Sequence, residues 1–139
     1  MGIVVDTAYT HRARAAGLTE PLVCQVVDAF YAKVRRDPLL GPVFDGIIKD
    51  DWPAHIERIC AFWLTATRIG SGYDGRRFMP AHLGHGAIRA EQLPRWLLLF
   101  RETAHEVCPP AAADVLVDIA ERMADSIRIG LARRDGHAA

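Results

Sequence analysis

The stretch Thr19-Glu20-Pro21-Leu22-Val23-Cys24-Gln25-Val26-Val27-Asp28-Ala29-Phe30-Tyr31-Ala32-Lys33-Val34-Arg35-Arg36-Asp37-Pro38 decides the fold class. Thr19 is a helix N-cap residue, Glu20 puts an acid in the first turn, and Pro21 stands where a missing N–H costs nothing. Val23, Val26, Val27, Phe30, Tyr31 and Val34 then return at helical spacing, giving one apolar side. Arg35 and Arg36 suit the negative end of the helix dipole, and Pro38 stops the helix.

Working outward, the same pattern recurs. Leu39–Phe44 (LLGPVF) reads as an apolar corner punctuated by Gly41 and Pro42. Asp50 or Asp51 can cap a second helix through Trp52, His55, Ile56, Ile59, Phe62 and Trp63, with Gly70 and Gly72 ending it. Tyr73 to Gly86 is loop-like, interrupted by a short turn of helix around Met79–Leu83. A third long helix runs from about Glu91 through Leu93, Trp96, Leu97 and Phe100 to Val107, closed by Pro109 and Pro110. The last helix carries Leu116, Ile119, Ala120, Met123 and Ile127. No run alternates with period two, so the pattern predicts an all-α fold. A four-helix bundle and a globin-like sandwich of crossed helix pairs both fit, and periodicity does not separate them. Residues 1–17 are weakly patterned and read as a partly ordered lead-in to one domain spanning 1–139.

A length of 139 residues with half of them hydrophobic suffices for one sizeable core. Seventeen basic side chains balance seventeen acidic ones, which argues against a broad phosphate-binding surface and against nucleic acid as a partner. Cys24, Cys60 and Cys108 are widely spaced among apolar residues. They form neither C-x-x-C nor the C-x-x-C-H of covalent haem attachment, and read as buried free thiols in a reducing compartment. The N-terminus lacks a signal-peptide pattern, Asp6 spoils a myristoylation motif after Gly2, and no apolar run spans a bilayer, so the expectation is a cytoplasmic protein with no membrane partner.

There is no phosphate loop, nucleophile elbow or H-E-x-x-H. The candidates for chemistry are histidines and aromatics. His82 stands in Phe78-Met79-Pro80-Ala81-His82-Leu83 with apolar neighbours on both sides. That setting suits either an axial iron ligand, its second nitrogen held by a carbonyl, or a satisfied or exposed histidine. His55 shares a helix face with Trp52 and Ile59 and is either a polar group needing a partner or ligand, or a rim residue half in water. Tyr31 is either a buried phenol seeking a hydrogen-bond partner or a boundary tyrosine, and Trp96 either an indole donor or plain core. His82 and His85 lack further ligands nearby for zinc.

The order and spacing of Phe30-Tyr31, Asp37-Pro38-Leu39-Leu40-Gly41-Pro42-Val43-Phe44, Trp52 with His55, Phe62-Trp63, Gly72-Tyr73-x-Gly75, Met79-x-x-His82 and Arg95-Trp96-Leu97-x-Leu99-Phe100 resemble the group III truncated haemoglobins. The likeness covers roughly residues 20–107. It implies a short globin fold, helices crossing two-over-two around non-covalent haem b, with His82 as proximal axial iron ligand. It further implies Tyr31 and Trp96 as hydrogen-bond donors to bound ligand, and His55 on the distal helix. Phe44 would pack on the haem, with Ile59, Phe62, Trp63 and Met79 lining or backing the pocket. The implied partners are diatomic gases (O₂, CO, NO) and an unidentified reductase, in a monomer or weak homo-oligomer. Implied uses are O₂ binding with NO-dioxygenase-like or peroxidase-like turnover, or a haem-based sensor in which His55 is a displaceable sixth ligand. The glycine-rich Gly84-His85-Gly86-Ala87 departs from the family pattern.

Overall fold

Thr19 caps the first long helix: its hydroxyl accepts from the Leu22 backbone N–H at 3.3 Å, and α1 runs Glu20–Arg36 with Pro21 in its first turn. The computed structural model describes residues 12–69 and 86–138, and every regular element among them is helical. A helical stretch at 12–15 precedes α1.

The apolar corner expected at Leu39–Phe44 is instead the start of a helix, α2, Leu40–Ile48. The physical reason lies just upstream. The Asp37 carboxylate accepts the Leu39 and Leu40 backbone N–H groups at 3.1 and 2.9 Å, satisfying donors that open a helix. Pro42 falls in the first turn, where a proline is tolerated. Gly41 permits the close approach of α2 to the end of α1, since a Cβ there would lie 2.8 Å from the Arg35 carbonyl oxygen.

Helix α3, Trp52–Ala66, carries Pro53 in its first turn. Asp51 occupies the cap position through its carbonyl, which accepts from the His55 N–H at 3.0 Å. Its carboxylate lies instead 3.6 Å from Arg58. The helix stops at Ala66, before the glycines expected to end it. The Thr67 hydroxyl donates back to the Trp63 carbonyl at 2.8 Å, and Arg68 takes a left-handed φ of 62°. Gly70 and Gly72 lie outside the described residues, as does nearly all of the segment from Tyr73 to Gly86.

A 3₁₀ turn, Ala90–Gln92, leads into α4, Leu93–Val107. The Gln92 side chain accepts from the Arg89 N–H and donates to the Ala87 carbonyl, both at 3.0 Å, fixing the approach. Pro109 and Pro110 close α4, and Pro110 also opens α5, Pro110–Ala138.

Helix α1 packs on α3, α4 packs on α5, and α1 lies against α4, which makes a two-over-two sandwich. The join is aromatic. Phe30 and Phe100 are each 1% exposed and meet edge to face at 5.1 Å, burial worth about 1.5–3 kcal/mol per side chain. Trp63 stacks on Phe100 at 4.9 Å and Trp96 stacks on the same ring at 5.6 Å, both nearly parallel. No described helix is long and apolar enough to cross a membrane.

Candidate functional site

Tyr31 and Trp96 come from different layers, α1 and α4, and meet. Phe30 holds both, its ring edge-on to Tyr31 at 4.8 Å and to Trp96 at 5.5 Å. The Trp96 indole lies close enough to the Tyr31 hydroxyl to act on it as a donor. Burial pushes the Tyr31 phenol well above its usual range, and the indole hydrogen bond offsets that only in part. The phenol therefore stays neutral. With one lone pair engaged by Trp96, its own O–H remains available as a donor.

Around this pair lies an apolar wall. Phe44 of α2 meets the Tyr31 ring at 5.8 Å. Phe44, Ile59, Phe62 and Trp96 are half-buried and pack against the core, whereas Trp63 is buried at 2% exposure and backs the wall from within. Along α3 the spacing sets two stripes: Trp52, Ile56 and Trp63 turn toward α1 and the core, while His55, Ile59 and Phe62 line its edge. His55 is half-buried with its ring edge-on to Trp52 at 6.2 Å. Met79 and His82 lie outside the described residues, as does His85.

Trp52 is held on three sides. Its indole N–H donates to the Asp45 carboxylate at 3.2 Å, the Arg35 guanidinium lies 4.5 Å over its ring, and Tyr31 faces it at 6.2 Å. Between them is a cleft of about 160 Å³ lined by Asp28, Tyr31, Ala32, Arg35, Trp52 and Ile56. That is below the roughly 300–1,000 Å³ of pockets for organic ligands, so it suits water-sized occupants.

Two residues quoted in the sequence motifs without a role turn out to be partners. The Asp37 side chain is 2% exposed, and one of its oxygens accepts from Arg95 Nε at 2.8 Å and Nη2 at 2.6 Å. Burial by itself would raise the Asp37 pKa. The Arg95 hydrogen bond, the Leu40 and Leu39 amides and the Arg95 charge outweigh it and hold the carboxyl below the usual range. This bridge ties the α1–α2 corner to the residue preceding Trp96. An aspartate at a helix end followed by proline was the available signal, but its partner 58 residues away was not.

The cysteines also differ from expectation. Cys24 and Cys60 are bonded to one another, joining α1 to α3, and Cys108 alone is a buried free thiol. The 36-residue separation concealed a pairing that only helix packing creates. Among the described residues no group of three or more His, Cys, Asp or Glu could hold a metal ion.

The two-over-two helical sandwich is a truncated-globin-like fold. The comparisons agree. Over 124 residues the chain is 28% identical to the group 3 truncated hemoglobin ctb of Campylobacter jejuni, covering 86% of this chain and 96% of that protein. The crystal structure of group III truncated hemoglobin from Campylobacter jejuni superposes with a TM-score of 0.76 at 27% identity, covering 82% of this chain and 91% of the other. No family model matches. The chain is similar to group III truncated haemoglobin in both sequence and fold.

Proposed function

We propose that the chain is one globin domain that holds haem b non-covalently and binds O₂, CO and NO. The observation that carries this reading is the meeting of Tyr31 and Trp96 on the Phe30 ring, beside the wall of Phe44, Ile59 and Phe62. Half-buried apolar side chains from α2, α3 and α4 fit a flat apolar macrocycle. The donor pair beside them, buried Tyr31 and half-buried Trp96, fits a small polar ligand at its centre. His82 would hold the iron, and Met79 would belong to the residues that hold the group. When bound, haem iron supplies the coordination site and the redox chemistry.

The chain's own contribution is electrostatic. Tyr31, kept neutral by burial, offers its O–H to a ligand carrying partial negative charge, with the Trp96 indole beside it as a second donor. Away from water such a bond strengthens, so O₂ is retained more than CO, which is less polar. Retention serves simple delivery poorly. Consumption of NO or peroxide, with electrons from a separate reductase, makes better use of the site.

The test is a visible spectrum of the purified chain reconstituted with haem. A Soret band is expected, retained in His85→Ala and largely lost, with its haem, in His82→Ala. A normal histidine-ligated ferrous spectrum in His82→Ala without added imidazole would refute the ligand assignment.

A further inference from the structure

The Cys24–Cys60 bond has a particular place in the α1–α3 seam. The two helices run antiparallel, with Cys24 against Cys60 at one end, where the Cα atoms lie 5.5 Å apart, and Arg35 over Trp52 at the other. At the end away from the disulfide, beside Arg35 and Trp52, a cleft of about 160 Å³ opens between the helices, lined also by Tyr31 and Ile56. A seam that opens into a cleft at one end forgoes dispersion contacts there, so the covalent tie at the other end supplies a larger share of what holds α1 to α3. Tyr31 lines that cleft, two helical turns from Cys24 on the same face. A chain of 139 residues with this core is larger than the small domains that depend on disulfides to fold. Both cysteines are half-buried at the edge of the core, within reach of a small thiol, whereas Cys108 is buried with its thiol pushed up by desolvation and is poorly placed to react.

We propose that Cys24 and Cys60 form a reversible thiol–disulfide site that reacts with low-molecular-weight thiols and their disulfides. Its state sets how firmly α3 holds the Tyr31 side of α1. In the oxidising direction one cysteine thiolate attacks the small disulfide, giving a mixed disulfide and releasing one small thiol. The second cysteine thiolate then displaces the other small thiol and closes Cys24–Cys60. The pair loses two electrons and two protons, and the small disulfide takes them up as two thiols. Excess small thiol drives the same steps backward. Closed, the tie clamps the seam and keeps the Tyr31 hydroxyl on Trp96. Open, α1 and α3 part at the cleft and that donor loosens.

The full-length protein, equilibrated in buffers of varying glutathione to glutathione disulfide ratio, provides the test. Thiol counting after denaturation should pass in one two-electron step from three free thiols to one, the residual being Cys108. Amide hydrogen exchange in the middle of α1 and α3 should be roughly tenfold slower in the oxidised form, with α5 unchanged. The Cys24→Ser/Cys60→Ser double variant should exchange like the reduced form at every ratio. In haem-loaded protein, O₂ release should be roughly threefold slower when oxidised. This last arm rests on the haem reading. A disulfide that stays closed in fully reducing glutathione is a permanent staple and overturns the proposal, as do three thiols at every ratio or equal exchange in the two forms. Equal O₂ release despite different exchange removes the link to Tyr31. Absence of a Soret band would strike down the haem reading and leave the thiol and exchange results to decide the switch.

Discussion

Replacing Tyr31 by Phe removes one oxygen from the centre of the aromatic join and leaves everything else in place. The ring is retained, so its contacts to Phe30, Phe44 and Trp52 persist and no cavity beyond a hydroxyl opens. What is lost is the acceptor of the Trp96 indole N–H, which is left facing carbon in a half-buried site. An unmet buried donor costs about 1–3 kcal/mol, the lower end applying because Trp96 is not fully enclosed. The urea midpoint of the protein should fall accordingly with an unchanged slope, since the surface exposed on unfolding is nearly the same. A second consequence has a definite sign in pH. Tyr31 is held neutral in the fold, above the value of about 10 it has in the unfolded chain, so its contribution is complete below about 10 and is lost as pH rises beyond it. Alkaline titration followed by tyrosinate absorbance should show one of the three tyrosines ionising only as the protein unfolds, and Tyr31→Phe should abolish that phase. In the haem-loaded ferrous protein, loss of the phenolic donor should speed O₂ release roughly threefold to tenfold and CO release far less. Unchanged stability together with an unchanged alkaline phase would refute the phenol–indole contact. Unchanged O₂ release with both of those altered would mean that Tyr31 braces the core but does not face the ligand.

Further outcomes follow from the same contacts. Asp37→Asn places an amide N–H₂ against donors in either orientation, facing Arg95 or the Leu39 and Leu40 amides. Loss of the α2 cap alone is expected to cost about 1–2 kcal/mol in a urea melt. Because the folded Asp37 pKa is depressed, the wild-type contribution is complete above the unfolded value of about 3.9 and is lost as pH falls below it, a slope that should be reduced in the variant. Reduction of Cys24–Cys60, which closes a loop with a sequence separation of 36, should lower stability by about 3–4 kcal/mol on the chain-entropy estimate, measured in denaturant with and without reductant. His55→Leu should leave the resting ferric spectrum little changed and shift ligand entry modestly, as an open or water-occupied sixth position requires. A change from a low-spin six-coordinate to a high-spin spectrum would make His55 an iron ligand.

The helices themselves were legible because what makes a helix is local. A cap, a proline in the first turn, an apolar stripe and a terminating proline all lie within one segment, and Thr19, Pro21 and Pro38 bracket α1 as read. The proline pair at 109–110 likewise marked the boundary between α4 and α5. Local reading failed at Leu39–Phe44, where glycine and proline suggested a corner. The Asp37 carboxylate and the free first turn made a helix, and a side chain reaching back to two amides does not register in a hydrophobic pattern.

By itself the sequence determined the all-helical class, the apolar faces and, through the order and spacing of its motifs, the likeness to truncated globins. The candidate residues were named by type: a phenol, an indole, histidines and aromatics. Which of them meet was decided only by tertiary structure. Tyr31 and Trp96, Asp37 and Arg95, Cys24 and Cys60 are each pairs from different elements, Asp37 from the corner after α1, brought together when α1 packs against α3 and α4. Periodicity says which side of each helix is buried. It carries nothing about the rotation and offset of one helix on another, which the close packing of Phe30, Trp63, Trp96 and Phe100 selects.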